Sequence, residues 1–194
     1  MFNIVYPCQF VMFKNVNDGI HIRTHVYTFR ANNNHIYIIE FDEFVGNIYL
    51  VKFYQKRHRR SKHKYNLLTN SGWACSVIYT VFDLMVRILN DNKFQNPSFA
   101  FMGSNIVYSG RRPAESKEAT KRFRFYKRMI ATFIGPESFT FKQNLEASIF
   151  VLLNNKNQNV KSRIDEVLKY IYTNYAILEI DLILEPLELR GQTG

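Results

Sequence analysis

Between residues 52 and 65 the chain reads KFYQKRHRRSKHKY. Lys52, Lys56, Arg57, Arg59, Arg60, Lys62 and Lys64 all fall here, with no acidic residue among them. Cations at this density suit a row of phosphates, and Tyr54 and Tyr65 at the margins suit stacking on bases. The competing reading is a solvated loop tip. His58 and His63 are the histidines inside the cluster. Neighbouring cations would hold them neutral at pH 7, which suits a general base. With Tyr65, Arg124 and Lys127 they form a set that could activate a 2′-hydroxyl and stabilise a pentacoordinate phosphate, as a metal-independent ribonuclease requires. Against this, histidine in a basic loop is often only another polar residue.

A second basic stretch follows. Residues 111–130 carry eight Lys/Arg against two acids. Lys117, Lys121, Arg124 and Arg128 recur at i, i+4, i+7 and i+11, with Arg111, Arg112, Arg122 and Lys127 beside them. On a helix that stripe is about 16 Å long, a useful length for tracking a phosphate backbone. Ala119, Phe123, Tyr126, Ile130 and Phe133 make an apolar stripe at the same period, so a basic amphipathic helix is predicted over 114–133. Such a helix can lie on an anionic membrane, but its aromatic face is needed for a core, which favours nucleic acid. An ordinary surface helix is the plain alternative.

The elements that must hold these segments read as strands first. THVYTFRA (24–31), HIYIIEF (35–41) and NIYLVKFY (47–54) alternate and are separated by Asn and Gly turns, which predicts an antiparallel meander. In the third strand Ile48, Leu50 and Lys52 share one face, and Tyr49, Val51 and Phe53 the other. Both faces are mostly apolar, so cover on both sides is expected. YNLLT (65–69) reads as a fourth strand, which would make the basic run the tip of a long hairpin. SGWACSVIYTVFDLMVRILN (71–90) repeats Val77, Val81, Leu84 and Ile88 at helical spacing and predicts a buried helix. SFAFMGS (98–104) and ESFTFKQN (137–144) read as strands, EASIFVLLNN (146–155) as a strand or a short buried helix, and VKSRIDEVLKYIYTNYA (160–176) as a helix. The tail LEIDLILEPLEL (178–189) reads as an edge strand or as an arm packing on another chain, so a homo-oligomer through residues 176–190 is one possibility.

Hydrophobic residues make up 46% of the 194, enough for a real core. The formal net charge is +10. It is concentrated: residues 1–50 carry three Lys/Arg against four Asp/Glu, and residues 161–194 four against six. A field of this kind draws polyanions or acidic partners. Cys8 and Cys75 are far apart and form neither a disulfide framework nor a zinc pattern, which fits a reducing, cytoplasmic setting. MFNIVYPCQFVMF lacks a basic leader region and is broken by Pro7, so no secretory signal is expected. No apolar run reaches the length of a membrane span. His21, His25 and His35 lie on or beside the first strands, where His25 and His35 could pair across a hairpin. No Cys or acid cluster joins them, so neither a metal nor a cofactor is expected. Asp42 and Glu43 read as adjacent turn residues. Asp165 and Glu166 read as solvated partners of Lys161 and Lys169 on a helix. No phosphate-binding glycine loop or nucleophile elbow is present.

The stretches TVFDLMVRIL, FAFMGS and KRFRFYKRMI, in that order after three strands, resemble a family of small uncharacterised domains common in Bacteroidetes and their mobile elements. That family shows a Gly-Ser turn followed by an R-x-R-x-Y-x-R-like helix. The likeness covers roughly residues 24–153. It implies a prokaryotic, phage- or defence-linked origin, a setting rich in toxins, antitoxins and nuclease inhibitors. It carries over no activity.

The reading is therefore an α+β fold: an antiparallel meander sheet packed on a buried helix, a basic amphipathic helix at its flank, and a helical C-terminal extension. The core domain is placed at 1–155 and the extension at 156–194. The favoured function is a non-enzymatic binder of RNA or DNA backbone. A ribonuclease toxin of a toxin–antitoxin pair is the first alternative. A protein docking its basic face on an acidic protein or a ribonucleoprotein is the second.

Overall fold

The computed structural model describes residues 4–32, 34–61, 64–65, 74–103, 119–134, 137–145, 148–175 and 185–186. They form one mixed sheet with helices on both faces. The strands are β1 (Gln9–Asn15), β2 (His21–Arg30), β3 (Ile36–Phe44), β4 (Ile48–Gln55), β5 (Ser98–Met102), β6 (Phe139–Asn144), β7 (Ile149–Asn154) and the two-residue β8 (Glu185–Pro186). The helices are α1 (Ala74–Asn90), α2 (Lys121–Phe133) and α3 (Val160–Tyr175). Strand order is β1-β2-β3-β4-β5-β7-β6-β8.

The first four strands are the predicted meander, extended by β1, whose QFVMFKN the alternation argument passed over. Between β3 and β4 the chain reverses through Gly46 and Asn47, both at positive φ (78° and 56°). A Cβ on Gly46 would lie 3.0 Å from the Arg163 side chain of α3, so glycine serves the turn and the close approach together.

On its outer side β4 has a partner that the meander did not predict. Its residues Ile48–Val51 pair with Ser98–Phe101 of β5 in parallel. A parallel neighbour needs a crossover, and the long buried helix α1 lies within it. The basic run opens this crossover. It begins in β4, and Lys56–His58 form one 3-10 turn directly after the strand. The proposed fourth strand at 66–69 lies outside the described residues.

Alternation along the strands sorts side chains to two cores. Tyr37, Ile39, Phe41, Tyr49, Val51, Phe99, Phe101, Phe150 and Leu152 pack with α1 and α2. Phe44, Ile48, Leu50, Ala100, Ile149, Val151 and Leu153 pack with α3 through Val160, Ile164, Val167, Leu168, Ile171 and Tyr172. The double cover expected for NIYLVKFY is present. It also explains why IFVLLN of β7 is buried at every position and reads ambiguously by period alone. Residues 156–159 and helix α3, assigned by sequence to an extension, thus adjoin and cover the sheet's second face. The tail 176–184 and 187–194 lies outside the described residues, and β8 pairs with β6.

Candidate nucleic-acid interface

Glu40 and Asp42 are two apart on β3 and so project from the same face of the sheet, the face that α3 covers. They are 3% and 0% exposed. They belong to a buried strand, not to a turn, and Glu43 beside them points to the opposite face. Lys52 of β4 lies directly across from Glu40 and forms an ion pair with Asp42, with Glu40 Oε2 3.9 Å away. Asp42 also accepts from Thr24 Oγ1 (2.7 Å) and Tyr175 Oη (2.8 Å), and His21 Nε2 is 3.8 Å away.

Glu40 gathers the two ends of the basic run. From β4, Tyr54 Oη comes within 3.5 Å. From the far end, Tyr65 Oη donates at 2.6 Å and Lys64 Nζ is 3.8 Å away. Lys14 of β1 adds a 2.7 Å salt bridge. Lys64 Nζ sits over the Tyr54 and Tyr65 rings at 4.3 and 4.7 Å, and Lys52 over the Tyr175 ring at 4.6 Å. The titration behaviour follows. Burial opposes ionisation of Glu40, but the Lys14 and Tyr65 hydrogen bonds and the charges of Lys52 and Lys64 override it and pull the carboxyl down to about 2. Burial and Glu40 push the Tyr65 phenol upward, and Tyr54 rises to about 12 for the same reasons. Lys64 is lowered, chiefly by desolvation.

The sequence run thus divides by role. Lys52, Tyr54, Lys64 and Tyr65 turn inward and fasten the loop to the sheet. Lys56, Arg57, Arg59 and Arg60 are exposed, and no acidic side chain pairs with them among the described residues. Between them the backbone is tight: Arg59 N–H donates to Lys56 O (3.1 Å), Ser61 N–H to His58 O (2.9 Å) and Lys64 N–H to Ser61 O (3.2 Å). Lys62 and His63 lie outside the described residues.

The second basic segment reaches the first. β4 and β5 run parallel, so the chain leaves both at the same end of the sheet. Past β5, Gly103 fits closely against the start of α2. Thr120 Oγ1 donates to Gly103 O (2.8 Å) and accepts from Phe123 N–H (3.2 Å), capping the helix. Phe123, Tyr126, Met129 and Ile130 are buried, whereas Arg124 and Arg128 are exposed. Arg122 Nη1 donates to the Tyr65 backbone carbonyl and ties α2 to the end of the basic loop. Arg124 Nη1 donates to Ala119 O (3.0 Å), and Lys127 Nζ lies 3.5 Å from Gln143 Oε1. Lys121 is the first residue of α2. Arg111, Arg112 and Lys117 lie outside the described residues.

The candidate catalytic residues fare unevenly. His58 Nε2 accepts from Arg57 Nε (3.1 Å), and its Nδ1 is buried. Its pKa is lowered by burial first, then by Arg57 and His35. Tyr65 is a hydrogen-bond donor to a carboxylate with a raised pKa, the opposite of what a base or nucleophile needs. His25 and His35 do not pair: His25 lies across from Phe41, and its Nε2 is 2.6 Å from Glu43 Oε2, which also receives Arg23 Nε at 2.6 Å. Among the described residues no three His, Cys, Asp or Glu side chains are placed to hold a metal ion. No helix among them is long and apolar enough to cross a membrane.

What the sequence reading missed is the acidic half of the site. Its signal was IYIIEFDEF, where two acids two residues apart interrupt the apolar pattern on one face of a strand that must be covered. Compared with family models, with curated proteins and with solved structures, the chain matches none.

Proposed function

We propose that this protein binds the phosphate backbone of a nucleic acid through the exposed cations of the loop after β4, with the N-terminal half of α2 as the adjoining surface. The observation that carries this reading is the division of KFYQKRHRRSKHKY. Its inward residues are neutralised on Glu40 and Asp42, and Lys56, Arg57, Arg59 and Arg60 are displayed without acids. A loop that is merely soluble has no need of a buried carboxylate to fasten both of its ends. Fastening reduces the ordering entropy lost on binding, which makes four cations more effective than the same four on a free chain. The Arg122–Tyr65 contact holds α2 against the end of that loop. The prokaryotic mobile-element or defence setting implied by the resemblance belongs to this same proposal.

The test is fluorescence anisotropy with labelled RNA and DNA, single- and double-stranded, over a salt series. Binding should weaken steeply with salt, and replacing Lys56, Arg57, Arg59 and Arg60 by Ser should flatten that dependence. No binding to any of the four probes at low salt refutes the reading. Tight capture of one acidic protein in its place would favour the protein-docking alternative. The engagement of His58 with Arg57 and of Tyr65 with Glu40 supports a binder over a ribonuclease. RNA cleavage abolished by His63→Ala would reverse that order.

A further inference from the structure

The sheet ends at β1, and that edge is unlike the rest of the surface. Every residue of Gln9–Asn15 is exposed. Phe10, Val11, Met12 and Phe13 are 46–52% exposed, and Ile4, Val5, Val16 and Ile22 add to them. Among the described residues no strand pairs with the outer side of β1. The β1–β2 register slips between Phe10 and Met12, leaving Val11 as a bulge. The slip puts Phe10 and Phe13 on the same face, ring centroids 4.8 Å apart, resting on Tyr27 and His25.

Edge strands usually carry inward charges, prolines, bulges or short lengths that discourage pairing, and of these β1 has the bulge at Val11 and a single charge. Here the strand's one charge, Lys14, is spent on Glu40. Taking ordinary side-chain areas, the eight apolar residues expose roughly 600 Å², at the upper end of the largest patch on a typical monomer. A stable interface needs about 800 Å² per partner, which this patch and the strand's backbone together approach.

We propose that β1 is a homodimer seam, pairing antiparallel with β1 of a second copy to make one continuous sheet. Three observations select a second copy over another occupant. The patch lies in residues 1–50, which are near neutral in a chain of net charge +10. Polyanions therefore have no reason to settle there, and two copies can meet without strong charge repulsion. Antiparallel pairing about a twofold axis normal to the sheet brings like faces together. Phe10 and Phe13 of both copies then form one row of four rings, and no charged side chain need face its own kind. The two basic loops fall outside the seam, so the dimer carries two footprints. This inference does not depend on the nucleic-acid reading.

Sedimentation equilibrium of the full chain between about 1 and 100 µM tests it. A monomer–dimer equilibrium is expected. Val11→Lys and Met12→Lys, at positions already half-exposed, should weaken it at least about tenfold, since charges would enter the seam. Unchanged circular dichroism and melting temperature show that the variants fold. A monomer throughout the range overturns the proposal and leaves the edge to a strand from another protein. A dimer that both variants leave intact overturns it equally, because the contact then lies elsewhere.

Discussion

Tyr65 Oη donates to Glu40 Oε2 at 2.6 Å, joining residues 25 positions apart in the chain. Through that bond and the neighbouring Lys64, the far end of a basic loop returns to the strand beside the one it left. A buried carboxylate thereby ties the two ends of the loop together.

Glu40→Gln should loosen this closure. Removing the charge leaves Lys14 and Lys64 without a carboxylate, whereas Lys52 keeps Asp42 and half-exposed Lys14 recovers water. A loss of about 2–3 kcal/mol is expected, below the cost of breaking a fully buried pair. Urea unfolding measures it. Limited trypsin digestion should show faster cleavage at Lys56–Arg60 in the variant. Tyr65→Phe should give the same protease pattern with a smaller loss of stability.

Stability should depend on pH through the same residue. Glu40 has an ordinary value of 4.5 and is held at about 2 in the folded chain. The unfolded chain binds the proton more readily, so this contribution is complete above about pH 5 and is lost as pH falls toward 2. Its size is on the order of 3 kcal/mol. Glu43 is lowered as well: burial opposes ionisation, but His25 and Arg23 outweigh it, so Glu43 acts in the same direction. The urea midpoint should fall between pH 5 and 2, and Glu40→Gln should flatten that fall without abolishing it.

Cations with different surroundings should differ in their effect on nucleic-acid binding. The double substitution Arg59→Ser/Arg60→Ser should reduce the salt slope by roughly 2 on duplex probes, close to 0.9 per lost phosphate contact. Arg163→Ser should leave it unchanged, since Arg163 pairs with Glu166 on α3 at 3.0 Å, away from the loop. Equal effects from both would indicate a diffuse field and not a footprint. Titrations over 50–200 mM salt separate the two outcomes.

Gly103→Ala should be costly at a position where the backbone is not strained. An added Cβ would meet Thr120 Oγ1 at 2.5 Å and the Phe123 backbone N at 2.8 Å. Either the helix cap breaks or α2 moves away from β5. Overpacking of this kind costs about 1–3 kcal/mol. The melting temperature should fall, and nucleic-acid affinity should fall with it, because α2 then no longer presents Arg124 and Arg128 in place.

Much of the fold was legible in the sequence because period-2 alternation and helical spacing are local signals. The meander at 24–54, the buried helix and the helix at 160–175 follow from them. The parallel β4–β5 pairing was not legible: which strand a long crossover returns to is decided by packing between distant segments. β1 was missed because an edge strand exposed on both faces has no alternation to read. At the site, KFYQKRHRRSKHKY announced itself by charge density. Its division into inward and outward residues did not, since that requires knowing that Glu40 and Asp42 share a face with Lys52. Asp42 and Glu43 looked like turn residues because adjacent acids are rarely buried. Here each finds its own cation, on opposite sides of one strand.

The clamp on Glu40 also bears on how such a protein could change. Because Lys52, Tyr54, Lys64 and Tyr65 carry the attachment, the exposed side chains of Lys56, Arg57, Arg59 and Arg60 are not needed to hold the loop's ends, and lengthening a closed loop adds only slowly to its entropic cost. Those four side chains are in effect exchangeable fittings on a fixed mount. Their charge can be altered without asking the sheet to refold.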